Sequence, residues 1–239
     1  MSFPAAIWTN RLIPGTILAK EREPWEMKGK KEAVLFDLDG TLWDSSQEVL
    51  LCWNRVLSPL GRHITEEELS RLMGLTPREI GDVQFPDLPP AERYALTDRC
   101  LDAEAPYLFE RGAHLYPKVR ETLRQLNRRY FIGLVSNCTE EYAQAFFHAH
   151  GLASLFDDHE TAGRTGLDKE ENIALLLARN DIQRAVYVGD TAKDLAAAQA
   201  AQIPFLFASW GFGAPPPTGQ LSLTSFSELV EAVTSMMGV

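Results

Sequence analysis

The sequence predicts an α/β fold: a parallel sheet covered by helices on both faces, with a separate helical segment inserted after the first strand. Three observations carry that expectation. Short apolar runs at 33–36, 131–135, 185–188 and 203–208 each have the length of a buried strand. Helix-like stretches at 141–150, 170–179 and 191–202 lie between the later runs. Between 44 and 116 the apolar spacing is helical, with little strand character.

In chain order, residues 1–30 read as an N-terminal extension. They carry prolines, isolated apolar residues and the mixed-charge patch Lys20-Glu21-Arg22-Glu23, with no steady period. The extension is either a loosely docked arm or, through Trp8 and Trp25, an arm that binds a partner. The α/β core is expected at 31–43 and 117–239, and a helical cap over it at 44–116. Within the cap, helices are expected at 47–57, 65–73 and 91–109. Thr65-Glu66-Glu67-Glu68 supplies a capping box for the second, and the prolines at 85–90 make a turn before the third. After Trp210, the glycines and prolines of 211–217 read as loop. A final amphipathic helix at 225–236 places Phe226, Leu229, Val230 and Val233 on one face.

Composition narrows the partners. The chain has 239 residues, 45% apolar and 23% charged, with a net charge of −10. That diffuse negative charge argues against a nucleic acid polymer or an anionic membrane as the main partner, but leaves room for a small anionic substrate in a local site. The three cysteines, Cys52, Cys100 and Cys138, show no CxxC spacing and suit a reducing compartment. No apolar run reaches the length of a membrane span, and no signal-peptide pattern is present. The expected location is the cytoplasm.

The chemistry gathers where the strands end. The first run leads into Asp37 and, one residue on, Asp39; the second leads into Ser136 and Asn137; the third leads into Gly189 and Asp190. In open parallel sheets ligands bind outside the carboxyl ends of the strands, so these residues are expected at one crevice. Asp194 follows Asp190 by four residues and faces the same crevice if a helix begins there. Asp190 and Asp194 taken alone would suit helix capping. Together with Asp37 and Asp39 they make four carboxylates that repel one another unless a cation joins them, and Mg2+ is the hard ion that all-oxygen ligation favours. An aspartate can also attack phosphorus, giving Asp37 the role of nucleophile and Asp39 that of proton donor and acceptor. Ser136 offers a hydroxyl to phosphoryl oxygens, and Lys169, at the unfavourable end of a helix dipole, is the expected cation.

Asp37-Leu38-Asp39-Gly40-Thr41-Leu42, Ser136-Asn137, Lys169, and Gly189-Asp190 with Asp194 together resemble the ordered motifs of the haloacid dehalogenase superfamily. The resemblance runs from about residue 30 onward and implies a Rossmann-like three-layer core with a mobile cap. The insert resembles the cap of the phosphoglycolate phosphatase and β-phosphoglucomutase branch. Leu75-Thr76-Pro77-Arg78-Glu79-Ile80 resembles its cap loop, and Tyr116-Pro117-Lys118-Val119 its return to the core, with Lys118 where glycine is usual. Lys169 is followed by two glutamates where proline is common.

The resemblance implies a Mg2+-dependent phosphatase acting on a small phosphorylated metabolite through a phosphoaspartate. Asp37, the backbone carbonyl of Asp39 and Asp190 would hold the metal, and Asp194 would orient a metal water. Thr41, Ser136, Asn137 and Lys169 would serve the phosphate, and Arg78 the rest of the substrate. A dehalogenase needs neither Asp39 nor the metal acids. A phosphomutase, or an idle regulatory member of the fold, stays open as an alternative. The five histidines show no metal spacing shared with the acids, and Cys138, lacking an activating base, reads as packing.

Overall fold

The computed structural model describes residues 29–215 and 219–238. Most of the expected extension, with Trp8 and Trp25, lies outside the described residues. In chain order the first half contains β1 (Glu32–Phe36), β2 (Trp43–Asp44), α1 (Ser46–Leu57), α2 (Glu66–Ser70), α3 (Pro77–Gln84), α4 (Pro90–Arg111) and β3 (His114–Leu115). Next come α5 (Val119–Asn127), β4 (Phe131–Ser136), α6 (Glu140–His150), β5 (Asp158–Thr161), α7 (Ala162–Thr165) and α8 (Lys169–Arg179). The chain closes with β6 (Arg184–Gly189), α9 (Ala192–Ala200), β7 (Phe205–Ala208), β8 (Ser222–Leu223) and α10 (Leu229–Met237).

Six strands form a parallel sheet in the order β5-β4-β1-β6-β7-β8. The alternation of side chains along each strand feeds two separate cores. From β1, Val34 and Phe36 join Ile132, Leu134, Val186 and Val188 under α5, α6 and α10. Ala33 and Leu35 point the other way and join Phe131, Tyr187 and Phe207 under α8 and α9. Burial on both faces is why these strands are apolar without a break. The two edges differ. Asp158-His159-Glu160-Thr161 of β5 and Ser222-Leu223 of β8 each need only one neighbour and show no apolar run, so the sequence does not announce them.

The insert leaves and re-enters on a two-stranded antiparallel ribbon, with Trp43 opposite Leu115 and Asp44 opposite His114. Its long helix α4 packs on α1 and α3 and lies along the core helix α6. Trp43, fully buried, stacks edge-on against Tyr142 and Phe146 at ring distances of 5.5 and 5.2 Å. Cap and core thereby share one apolar cluster.

Three local expectations need correction. Thr76-Pro77-Arg78-Glu79 is the start of helix α3, not a loop: Thr76 and Glu79 form a reciprocal capping box and Pro77 opens the helix. Helix α2 ends at Ser70, short of Met73. The last expected helix is split, with a 3-10 turn at Phe226–Glu228 before α10. The odd residue Lys118 has a physical reading as well. It adopts φ 71° at the start of α5, a left-handed conformation that glycine enters without strain.

Gly163 sits where two turns cross. Its N–H donates to the Cys138 carbonyl at 3.1 Å, and a Cβ there would lie 2.6 Å from the Cα of Thr139. Backbone cannot swing aside as a side-chain tip can. Gly163→Ala should therefore lower stability by about 1–3 kcal/mol, read as a reduced urea midpoint. An unchanged midpoint would show that the crossing is looser than drawn.

Candidate active site

The sheet register brings the first acids together. β1 pairs with β6, placing Phe36 opposite Val188, and the Asp37 N–H donates to the Val188 carbonyl at 2.9 Å. Asp37 and Asp190 are thus the residues that emerge from neighbouring strand ends. The chain then turns sharply: the Leu42 N–H reaches the Leu38 carbonyl at 2.8 Å, and Gly40 N–H the Trp43 carbonyl at 2.9 Å. Gly40 has φ +75°, and the Asp190 carboxylate fills the place of any Cβ. Only glycine meets both conditions. Asp190 is held from the other side as well, accepting from the Phe212 N–H at 2.7 Å and the Thr41 hydroxyl at 3.3 Å.

Asp37, Asp190 and Asp194 each offer a carboxylate oxygen, and these oxygens lie within 4.8 Å of one another. All three residues are buried. Lys169, buried too, donates to Asp37 Oδ1 at 3.0 Å and Asp194 Oδ1 at 2.6 Å. Asp194 combines both roles weighed for it from the sequence. Its Oδ2 accepts from the Thr191 N–H and hydroxyl at 2.9 and 2.6 Å in a capping box, while Oδ1 faces the lysine. Burial, then repulsion from Asp194 and Asp37, pushes Asp190 up to about 8. Burial and Asp194 also raise Asp37, against the pull of Lys169. Burial opposes the charge on Lys169, but Asp194 and Asp37 outweigh it and hold the ammonium well above its usual range. A buried, all-oxygen donor set in which Asp37 and Asp190 resist ionisation fits a hard divalent cation.

Asp39 is secured through one oxygen. Its Oδ1 accepts from Trp43 Nε1 at 2.9 Å, the Ser45 hydroxyl at 2.7 Å and the Tyr142 hydroxyl at 2.7 Å. Burial still raises its pKa against those three donors. Burial thus favours the protonated form of a carboxyl whose direction those donors fix.

Above the crevice, cap and core line an open-mouthed cavity. Asp37, Asp39, Ser136 and Asn137 line its floor with Tyr142, and the cap supplies apolar walls and one acid, Glu104. Glu104 is buried on α4 and accepts from the Trp53 indole N–H; burial first, then Asp39, pushes its carboxyl up to about 8. Sequence reasoning passed over Glu104 and Tyr142. A signal for Glu104 was present: it falls on the stripe Leu96, Cys100, Glu104, Leu108, a lone acid on the buried face of its helix.

Two expected site residues, Arg78 and Thr41, stand elsewhere than assigned. Arg78 is exposed, with its guanidinium over the Tyr94 ring at 4.4 Å, and does not line the cavity. It is a residue of the outer cap surface, not a contact in the crevice. Thr41 is fully buried and spends its hydroxyl on Asp190, so it steadies an acid and faces no phosphate. Asn137 directs its amide N–H to the cap, at the Gly74 carbonyl, 2.9 Å away. Cys138 is half-buried, and burial followed by Asp39 drives its thiol far up, which agrees with a packing role.

With this geometry in view, kinship can be stated. The haloacid dehalogenase-like hydrolase family matches residues 34–208. A phosphoglycolate phosphatase of Synechococcus elongatus is 31% identical over 223 residues, covering 86% of this chain and 99% of that protein. One from Xanthomonas campestris pv. campestris is 35% identical over 191 residues, covering 75% and 84%. The crystal structure of a predicted phosphatase from Clostridium acetobutylicum superimposes with a TM-score of 0.74 at 21% identity, covering 87% of this chain and all of that one.

Removing the ammonium would leave two buried acids facing each other. Lys169→Met should cost about 3–5 kcal/mol of stability at pH 8, measured by chemical denaturation without metal. A variant as stable as the parent would mean that Lys169 does not balance Asp37 and Asp194.

Proposed function

Because the chain belongs to the haloacid dehalogenase-like hydrolase family, we propose that it is a Mg2+-dependent phosphatase that cleaves a small phosphate monoester through a phosphoaspartate on Asp37. The observation that carries the metal and the covalent route is the gathering of Asp37, Asp190 and Asp194 around Lys169 at the ends of β1 and β6. The residues that would hold Mg2+ are Asp37, Asp190 and the backbone carbonyl of Asp39, with Asp194 behind them. Bound there, the ion would neutralise and polarise the phosphoryl oxygens.

The chain's own residues account for the remaining steps. Lys169 keeps Asp37 oriented and favours its ionised form, so a carboxylate oxygen is ready to attack phosphorus. The ester P–O bond breaks as the Asp37–phosphorus bond forms, and the departing alkoxide needs a proton. Asp39, held at Oδ1 by Trp43, Ser45 and Tyr142, has its second oxygen to give that proton. The same oxygen then takes a proton from the water that attacks the phosphoaspartate, and phosphate and the free Asp37 carboxylate are regenerated. Ser136, buried at the cavity floor, offers its hydroxyl to the transferred group.

Release of phosphate from p-nitrophenyl phosphate with Mg2+ tests the reading. Asp37→Asn should reduce kcat to below about one-thousandth of the parent value, since an amide cannot attack, while leaving the circular dichroism unchanged. Near-parental turnover by that variant would remove Asp37 from the nucleophile's place.

Metal affinity should also depend on pH in a defined direction. With the Asp190 carboxyl pushed up to about 8, the metal-free site is largely protonated there at pH 6, and each ion bound must displace a proton. Mg2+ should therefore bind more tightly as pH rises from 6 to 8, by up to about tenfold per unit for one proton displaced, read by calorimetry. Affinity that is flat across that range would show that these acids are not the ligands.

A further inference from the structure

We propose that the alcohol part of the substrate is an uncharged, hydroxyl-bearing group whose hydroxyls are received by Glu104 and Asn137. This rests on the phosphatase reading above and narrows it. The lining of the cavity carries the argument. Among the described residues that line it there is no lysine, arginine or histidine. Its cap-side walls are apolar, with Trp53, Leu72, Met73, Leu75, Ile80 and Leu101, and the one ionisable group they carry is the Glu104 carboxyl.

The nearby cations are engaged elsewhere. Lys169 is buried between Asp37 and Asp194. Arg78 lies on the Tyr94 ring, and Lys193 pairs with Glu79. A leaving group with its own carboxylate would lose its hydration in this cavity and meet an acid in place of a cation. Whether Glu104 is ionised or neutral, the missing positive partner leaves that penalty standing.

A hydroxyl meets the opposite situation. Glu104 accepts the Trp53 N–H at Oε1 and remains an acceptor of further donors. Asn137, at the cavity floor, uses its N–H on the Gly74 carbonyl, and its Oδ1 is buried without a hydrogen-bond partner. An unpaired buried acceptor is costly until a donor arrives, so a substrate hydroxyl is recognised by satisfying it. One acceptor comes from the cap and the other from the core. The apolar walls suit the carbon skeleton between the hydroxyls.

The test is a matched pair of esters. 2-Phosphoglycolate and 2-hydroxyethyl phosphate share a two-carbon alcohol and differ in carboxylate against hydroxyl. With Mg2+ at pH 7.5, kcat/KM for 2-hydroxyethyl phosphate should exceed that for 2-phosphoglycolate by at least about tenfold. Glu104→Met, which removes the acceptor, should shrink that ratio by about threefold or more, through a higher KM for 2-hydroxyethyl phosphate. Equal or better use of 2-phosphoglycolate by the parent protein would overturn the proposal, even if the variant fails to fold. Turnover of p-nitrophenyl phosphate serves as the reference: its presence alongside a preference for 2-phosphoglycolate sinks this inference alone, and its absence sinks the phosphatase reading with it.

Discussion

One ammonium group sets the electrostatics of the crevice. Lys169 Nζ lies between Asp37 and Asp194 in a place closed to solvent, with Asp190 beside them. Three carboxylates against one ammonium leave two negative charges uncompensated when all are ionised. Burial makes that excess expensive, so Asp190 and Asp37 shift toward the neutral form. A divalent cation carries the two charges that are missing. Neutrality would be reached with one lysine and one such ion, and the loss of either would leave like charges confined together.

That balance depends on backbone placement more than on side-chain reach. Parallel pairing of β1 with β6 puts Asp37 and Asp190 at adjacent strand ends, and the capping box of α9 turns Asp194 inward. Lys169 begins α8 beside them, where Asp168 and Glu171 cap the helix and relieve the poor match between a cation and a helix start. The Gly40 turn lets the Asp190 carboxylate approach backbone directly, with no side chain in between. Each acid is therefore held by an element that is itself fixed in the sheet or by a cap. Little of the arrangement is left to rotamer choice.

What was legible in the sequence follows from these facts. Strands buried on both faces write themselves as unbroken apolar runs, and β1, β4, β6 and β7 were readable for that reason. Edge strands β5 and β8 carry no such mark. The acids at the strand ends were readable because carboxylates directly after apolar runs have few structural excuses. Arg78 misled because an arginine beside a proline in a cap segment is equally suited to an outer surface, where it stacks on Tyr94. Thr41 misled because sequence gives a hydroxyl no direction, and the fold turns it to Asp190. Glu104 went unseen among the many acids of α4, although the apolar stripe Leu96, Cys100 and Leu108 marks its face as the one packed inward.

Asp39 joins the two halves of the molecule. Two of the donors to Asp39 Oδ1 come from the segment leading into the cap, Trp43 of the ribbon and Ser45 just before α1; the third, Tyr142, belongs to a core helix. The Tyr142 hydroxyl also lies 2.6 Å from the Ser45 hydroxyl, closing the cluster. Cap and core meet again where Asn137 reaches Gly74 and Lys193 reaches Glu79. A rotation of the cap about its ribbon would have to carry Trp43 and Ser45 with it or break their bonds to Asp39. The Asp39 carboxyl is thus aligned by the same contacts that seat the cap. On the proposed mechanism, proton transfer and enclosure of the substrate would be tied to one geometry.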